Sequence, residues 1–369
     1  MIEGQEAIRL LEGAGARLFV GVPDSLMKGF CSALGDHRGP GRHVVAANEG
    51  GAVATAAGHY LATGRPAVVY MQNSGLGNAA SPLVSLASRR VYGIPMLLII
   101  GWRGEPGTVD EPQHDHQGDI TTQQLELLEI SISVAEPDDD GSVFVAAYER
   151  ALSGQVPVAV LVRKGVFVPP PEIAPGGGLT RMSAMEMLLQ QLPTDTAYVA
   201  TTGYTGRELA LLRAKREESW SSDLLMVGSM GHAAAIALGI AVGTPGRLVC
   251  CFDGDGAVVM HMGTLAAVGA EQPANLLHVV MNNGVHESVG GQPSALRDAD
   301  IPALARSLGY VSAEVATDKD ELASAVDRLH TDSGPNLIEV RISSGTVDGL
   351  PRPSSLRERV VDMRDWLSG

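Results

Sequence analysis

Aromatic side chains make up only 4% of this 369-residue chain, a shortage that counts against base-stacking platforms for single-stranded nucleic acid. Positive charge is also short. Lys and Arg number 27 against 42 Asp and Glu, a formal net charge of −15. A surface that acidic repels phosphate backbones and anionic lipid, so neither nucleic acid nor a membrane surface is expected as a partner. Cysteine is limited to Cys31, Cys250 and Cys251, an odd number without metal-ligand spacing. Two of them are neighbours in the apolar run Leu248–Phe252 and read as small core residues of a reducing compartment. Long apolar runs are missing too. Stretches such as Met96–Ile100 are strand-sized, far short of a membrane span. The N-terminus, MIEGQEAIRLLEGAG, has no basic region followed by an apolar one, so no signal peptide is expected. The expectation is a soluble, cytoplasmic protein.

What is present is globular: 45% hydrophobic and 19% charged residues, in a chain long enough for two ordinary domains. Short apolar runs alternate with small-residue helical stretches. Strands are expected at Leu18–Val22, Val44–Ala47, Ala67–Met71, Met96–Gly101, Val156–Val162, Val199–Thr201, Leu224–Val227, Leu248–Phe252, Leu277–Met281 and Leu337–Arg341. Helices are expected between them, among them Glu3–Gly13, Gly50–Thr63 and Glu186–Leu192. Continuous apolar strands interleaved with helices indicate parallel sheets covered on both faces, an α/β architecture. The segment VPPPEIAPGGGLT from Val168 has no periodicity. Stiff proline followed by loose glycine predicts a linker over residues 169–179, dividing domains 1–168 and 180–369. A second irregular stretch, Trp102–Gly118, follows a strand end, where α/β domains place their chemistry.

The most informative pattern is in the second half. Strand Leu248–Phe252 runs into Asp253-Gly254-Asp255-Gly256, and strand Leu277–Met281 ends in Asn282-Asn283-Gly284. Asn283 lies 28 residues after Asp255, the length of one strand–helix–strand crossover. Neighbouring carboxyl ends then present hard oxygen ligands, which suit Mg²⁺ with room left for phosphate oxygens. Gly254 and Gly256 let backbone approach a diphosphate, and the following helix N-terminus favours negative charge. An EF-hand would need Glu eleven residues after Asp253; Thr264 stands there, so that alternative fails.

This pattern resembles the signature of the thiamine-diphosphate-dependent enzymes. Gly228-Ser229-Met230-Gly231-His232 is similar to the family's other diphosphate-side loop, and Met230 matches the apolar residue that bends the cofactor. Asn48-Glu49-Gly50-Gly51 matches the glutamate beside the aminopyrimidine ring. The resemblance implies two doubly wound domains, pyrimidine-binding and diphosphate-binding, with no middle domain. It implies thiamine diphosphate contacted by Glu49, the 228–232 loop, Gly254, Asp255, Gly256, Ala257 and Asn283. It also implies Mg²⁺ on Asp255, Asn283 and the main-chain carbonyl of Val285. Decarboxylating a 2-oxo acid leaves a carbanion that no side chain stabilises, so such chemistry needs a cofactor as electron sink.

The phrases GVPDSL (Gly21–Leu26), YMQNSGLGNA (Tyr70–Ala79), LIIGWRGEPG (Leu98–Gly107), DEPQH (Asp110–His114) and HESVGGQP (His286–Pro293) narrow the resemblance. They are similar to the phosphonopyruvate decarboxylases, with the sulfopyruvate decarboxylases close over much of the chain. The implied substrate is a small 2-oxo acid, phosphonopyruvate, and the implied setting is phosphonate biosynthesis. Cationic and donor groups should converge on its charges. Ser25, Arg103, Gln113, His114 and His286 are the expected substrate contacts, with Asp24, Ser25 and His114 joining Glu49 in catalysis. Lys28 and Lys164 read as surface lysines, and His114 with His116 lacks the further ligands of a zinc site. Relatives place the cofactor between chains, implying a homodimer or higher homo-oligomer. A carboligase, or a regulatory cofactor-binding subunit, are the alternatives.

Overall fold

The structure, a computed structural model, describes residues 1–171, 176–329 and 333–369. They fall into two compact units, residues 1–171 with His286–Gln292, and residues 176–285 with 293–369. The expected linker falls partly on residues 172–175, outside the described residues. No described helix is long and apolar enough to cross a membrane.

The first unit holds β1 (Leu18–Gly21), β2 (Arg42–Val45), β3 (Ala67–Gln72), β4 (Met96–Gly101), β5 (Ser131–Ala135) and β6 (Val158–Val162). They form one parallel sheet in the order β2-β1-β3-β4-β6-β5. The central strands are apolar because both faces are covered. In β4, Leu97 and Ile99 enter one core cluster while Met96, Leu98 and Ile100 enter the other, the period-two alternation of a strand packed on both sides.

The second unit holds β7 (Ala197–Ala200), β8 (Asp223–Leu225), β9 (Val249–Gly254) and β10 (Leu276–Asn282), then β13 (Ser312–Ala316) and β14 (Asn336–Arg341); the short pair β11 (Val285–His286) and β12 (Gln292–Pro293) falls at the two ends of the His286–Gln292 segment. Its six-stranded sheet runs β13-β14-β10-β9-β7-β8. Counted from each unit's first strand, the two sheets have the same strand order. The chain therefore repeats one doubly wound topology, a relation that no repeat in the sequence announces. In each sheet the order reverses beside the first strand, between β1 and β3 and between β7 and β9. Open α/β sheets bind ligands at that switch point, beyond the carboxyl ends of the strands.

Local chemistry sets the helix boundaries near the site. Asn48 caps the helix Glu49–Thr63, its side chain accepting the Gly51 N–H at 2.8 Å, and Gly64 closes it at φ +67° as a left-handed C-terminal residue. Thr180 and Ser183 form a reciprocal capping box, so that helix starts at Arg181, before the expected Glu186. The edge strands β5 and β13 are additions to the expected set. Both are half-exposed and polar on one face, so neither shows the continuous apolar run of a central strand. The stretch Trp102–Gly118 is irregular only to residue 111, because a helix runs from Pro112 to Leu127. Pro112 suits the first helical position. Gly118 is a packing residue there, since a Cβ would collide with the Gly104 carbonyl.

Candidate active site

In the second unit, β9 and β10 lie side by side with Gly254 opposite Met281. Asp255 opens the helix Asp255–Met260 directly beyond β9, and the asparagine pair stands at the neighbouring carboxyl end. The two asparagines have different surroundings. Asn282 is buried, donates from Nδ2 to Glu339 Oε1 at 2.7 Å and accepts the Gly284 N–H at 2.9 Å. Asn283 is half-buried beyond the strand end and accepts the Val285 N–H at 3.2 Å. Asp255 is buried, and burial raises its pKa, with Ser294 and the Gly256 N–H opposing the rise. Its Oδ2 has no hydrogen-bond partner among the described residues. A buried carboxylate oxygen left open is costly without a compensating group, and a hard divalent cation is the group this donor set fits.

The loop after β8 is shaped by Ser229 at φ +52° and Gly231 at φ +85°, with the His232 N–H donating to the Ser229 carbonyl at 3.2 Å. A Cβ at Gly231 would lie 2.7 Å from the His261 ring and 3.0 Å from the Ala257 carbonyl, so the loop closes tightly against the helix that Asp255 begins. Met230 is half-buried and stays outside the four core clusters. Gly228 is half-buried as well, Gly256 and Ala257 are buried in the helix, and Gly254 ends β9.

In the first unit, the loop after β2 delivers Glu49 at the start of its helix, with the side chain buried. Asn78 Nδ2 donates to Glu49 Oε2 at 2.8 Å. A Cβ at Gly75 would sit 2.5 Å from the Glu49 carboxyl oxygen Oε1, so only glycine leaves that group its place.

A polar group gathers at the carboxyl ends of β1, β3 and β4. Asp24 is fully buried and accepts from Gln72 Nε2 at 2.7 Å and from the Leu26 N–H at 3.1 Å. Burial raises its pKa against the pull of Gln72 and Arg103. Arg103 donates from Nη1 to Ser25 Oγ at 2.7 Å and forks onto both oxygens of Asp110, with Nε to Oδ2 at 2.7 Å. The Gly104 and Glu111 N–H groups also donate to Asp110, and these donors hold its carboxyl well below the usual range despite partial burial. Gln113 and His114 lie on the first turn of the helix that follows; Gln113 donates to Glu111. Burial, with Arg103 nearby, lowers the His114 pKa. His286 on β11 is buried, which lowers its pKa to about 4.

Comparison with known proteins identifies the family. A sequence model of the thiamine pyrophosphate enzymes' N-terminal binding domain matches residues 3–127, and that of their C-terminal binding domain matches residues 201–340. A phosphonopyruvate decarboxylase of Streptomyces viridochromogenes is 37% identical, over 96% of this chain and 91% of its own. One from Streptomyces hygroscopicus is 36% identical, over 96% and 90%. The chain belongs to the thiamine pyrophosphate enzymes. A sulfopyruvate decarboxylase of Methanosarcina acetivorans is 25% identical over 85% of each chain.

Within this thiamine pyrophosphate enzyme, the structure brings Asp24, Ser25 and Arg103 into one network, with His114 close enough to feel Arg103, and sets Asp255 and Asn283 at adjacent strand ends. Four supporting residues escape a reading of the sequence. Gln72 and Asn78 look like ordinary polar residues of a strand end and a helix. Asp110 sits only seven residues after the arginine it pairs with, which was a usable signal. Glu339 is a lone acid in the apolar strand β14, a position whose burial cost demands a partner such as Asn282.

Proposed function

We propose that this enzyme catalyses the non-oxidative decarboxylation of 3-phosphonopyruvate to phosphonoacetaldehyde and CO₂, in phosphonate biosynthesis. The observation that carries the reading is the pair of almost chain-long relatives named for that reaction, supported by Glu49 and Asp255 both standing buried at strand–helix junctions. Residues 1–168 take the pyrimidine-binding role and residues 180–369 the diphosphate-binding role. Asp255, Asn283 and the Val285 carbonyl would hold Mg²⁺, and the 228–232 loop with Gly254, Gly256 and Ala257 would line the diphosphate. When bound, thiamine diphosphate supplies the electron sink for the carbon that loses CO₂.

The chain's own groups do the rest. Glu49, fixed at Oε2 by Asn78, holds a proton toward the aminopyrimidine ring. Arg103 and Ser25, with Gln113, His114 and His286, bind and orient the dianionic substrate. Asp24 and His114 relay the proton that replaces CO₂, and burial keeps His114 neutral near pH 7, able both to give and to accept. Three buried thiols suit a cytoplasmic protein, and a homodimer or higher oligomer is the working assembly.

The test is turnover of 3-phosphonopyruvate followed by ³¹P NMR, with thiamine diphosphate and Mg²⁺. Appearance of the aldehyde signal, absent in Glu49→Gln, supports the reading. Cofactor binding without aldehyde would replace it with a carboligase or a regulatory subunit.

A further inference from the structure

The second unit contains a buried polar chain that the proposed chemistry leaves unused. Cys251 and Asp253 on β9 and His278 on β10 lie on the same side of the sheet as Val249, Leu276 and Val280, within one apolar cluster. His278 is fully buried and Asp253 is 1% exposed. The Tyr310 hydroxyl, from the same cluster, lies 3.1 Å from His278 Nδ1, and His278 Nε2 lies 3.5 Å from Asp253 Oδ2. Asp253 Oδ1 accepts the Gly254 N–H at 2.9 Å. In the tautomer that suits this placement Tyr310 O–H donates to Nδ1, and Nε2–H faces the carboxylate at 3.5 Å, an electrostatic contact, since Nε2 has no hydrogen-bond partner among the described residues. Cys251 Sγ lies within 4.8 Å of the facing atoms of both. Burial, with Asp253 beside it, pushes that thiol's pKa up, so it stays a neutral filler.

Placing a carboxylate and an imidazole inside an apolar cluster costs several kcal/mol by order of magnitude unless they serve each other. Valine at these positions would pack the same sheet. The contacts continue from Asp253 through the Gly254 N–H into the turn that carries Asp255, whose Oδ2 is a buried oxygen without a hydrogen-bond partner among the described residues. We propose that His278, oriented by the Tyr310 hydroxyl, is a positioning residue for the cation-binding turn. It holds Asp253, and Asp253 fixes the direction in which Asp255 presents its carboxylate. The inference rests on reading Asp255 as a metal ligand. Outer partners of metal ligands typically change affinity by about 10- to 100-fold when removed.

The experiment uses the full chain with saturating thiamine diphosphate and Mn²⁺ as the probe cation, free Mn²⁺ being counted by electron paramagnetic resonance. Asp255→Asn is the control. His278→Leu is expected to weaken Mn²⁺ binding by about 10- to 100-fold while kcat at saturating metal stays within a few-fold of wild type. His278→Gln keeps a donor toward Asp253 and is expected to recover most of the affinity; Tyr310→Phe is expected to lose several-fold. Wild-type affinity in folded His278→Leu overturns the inference. Should His278→Leu fail to fold, Tyr310→Phe decides, and unchanged affinity there overturns it equally. The two readings fail separately. Wild-type binding in Asp255→Asn removes the ligand reading itself, whereas loss in Asp255→Asn beside unchanged His278→Leu removes only the positioning role.

Discussion

Replacing Gly75 with alanine perturbs Glu49 without touching its chemistry. The backbone at Gly75 is right-handed helical, φ −71° and ψ −14°, so alanine fits the conformation and gains about 0.4–1 kcal/mol by restricting the unfolded chain. Its Cβ, however, would lie 2.5 Å from Glu49 Cγ and Oε1 and 2.6 Å from Cδ, about 1 Å inside normal contact. Overpacking of that kind costs about 1–3 kcal/mol, leaving a net loss of about 1–2 kcal/mol, small for a chain of this size. The carboxyl is the movable party, and it must leave the 2.8 Å bond to Asn78. A misplaced proton-transfer group forfeits about 10²–10⁴-fold in rate. The expectation is therefore a folded protein with kcat reduced at least about 100-fold. The assay is steady-state aldehyde release by Gly75→Ala, Glu49→Gln and the double variant, with urea unfolding in parallel. If alanine acts through Glu49, the double variant is no slower than Glu49→Gln, because effects on one group do not add. Full activity in Gly75→Ala, or additive losses in the double variant, would refute the reasoning.

Three further outcomes are expected. Asn282→Ala removes a buried donor to the Glu339 carboxylate and the acceptor of the Gly284 N–H; urea unfolding should show a loss of about 3 kcal/mol, and half-saturation by Mg²⁺ should rise. Arg103→Lys cannot reproduce a fork on Asp110 together with a bond to Ser25, so KM for 3-phosphonopyruvate should rise about tenfold, the loss of a single strong polar contact, and an unchanged KM would remove Arg103 from substrate binding. His43, paired with the Tyr70 hydroxyl at 2.8 Å, has its pKa lowered by burial to about 4. Its folded value lies below the unfolded one near 6.5, so its contribution is fully present above pH 6.5 and is lost as pH falls toward 4. His43→Gln, which keeps a donor toward Tyr70, should flatten the pH dependence of unfolding across that window.

The central strands were legible because burial on both faces forces long apolar runs, as in Met96–Gly101, where expectation and structure agree residue for residue. Edge strands β5 and β13 carry no such run, since one face meets solvent. The shared strand order of the two sheets was not legible either, because topology is set by which apolar runs pair and many sequences satisfy the same order. At the site, strand-end positions such as Asp255 and Asn283 could be read from spacing alone. The residues that hold Glu49 and Asn282 could not. Asn78 and Glu339 come from other elements, and only the folded chain brings each beside its partner. Pro112-Gln113-His114 illustrates a different failure: a proline and a later glycine resemble loop punctuation, yet here the proline starts a helix and the glycine is demanded by the Gly104 carbonyl packed against it.

Substrate choice is the most direct test of the whole account. The decisive measurement is kcat/KM for 3-phosphonopyruvate, sulfopyruvate and pyruvate, side by side, with thiamine diphosphate and Mg²⁺ saturating. The account predicts that 3-phosphonopyruvate leads both by at least about 100-fold, the discrimination that about 3 kcal/mol of differential transition-state binding provides, and that Glu49→Gln lowers turnover by about 10²–10⁴-fold. Equal or greater kcat/KM for sulfopyruvate, or for pyruvate, would contradict it.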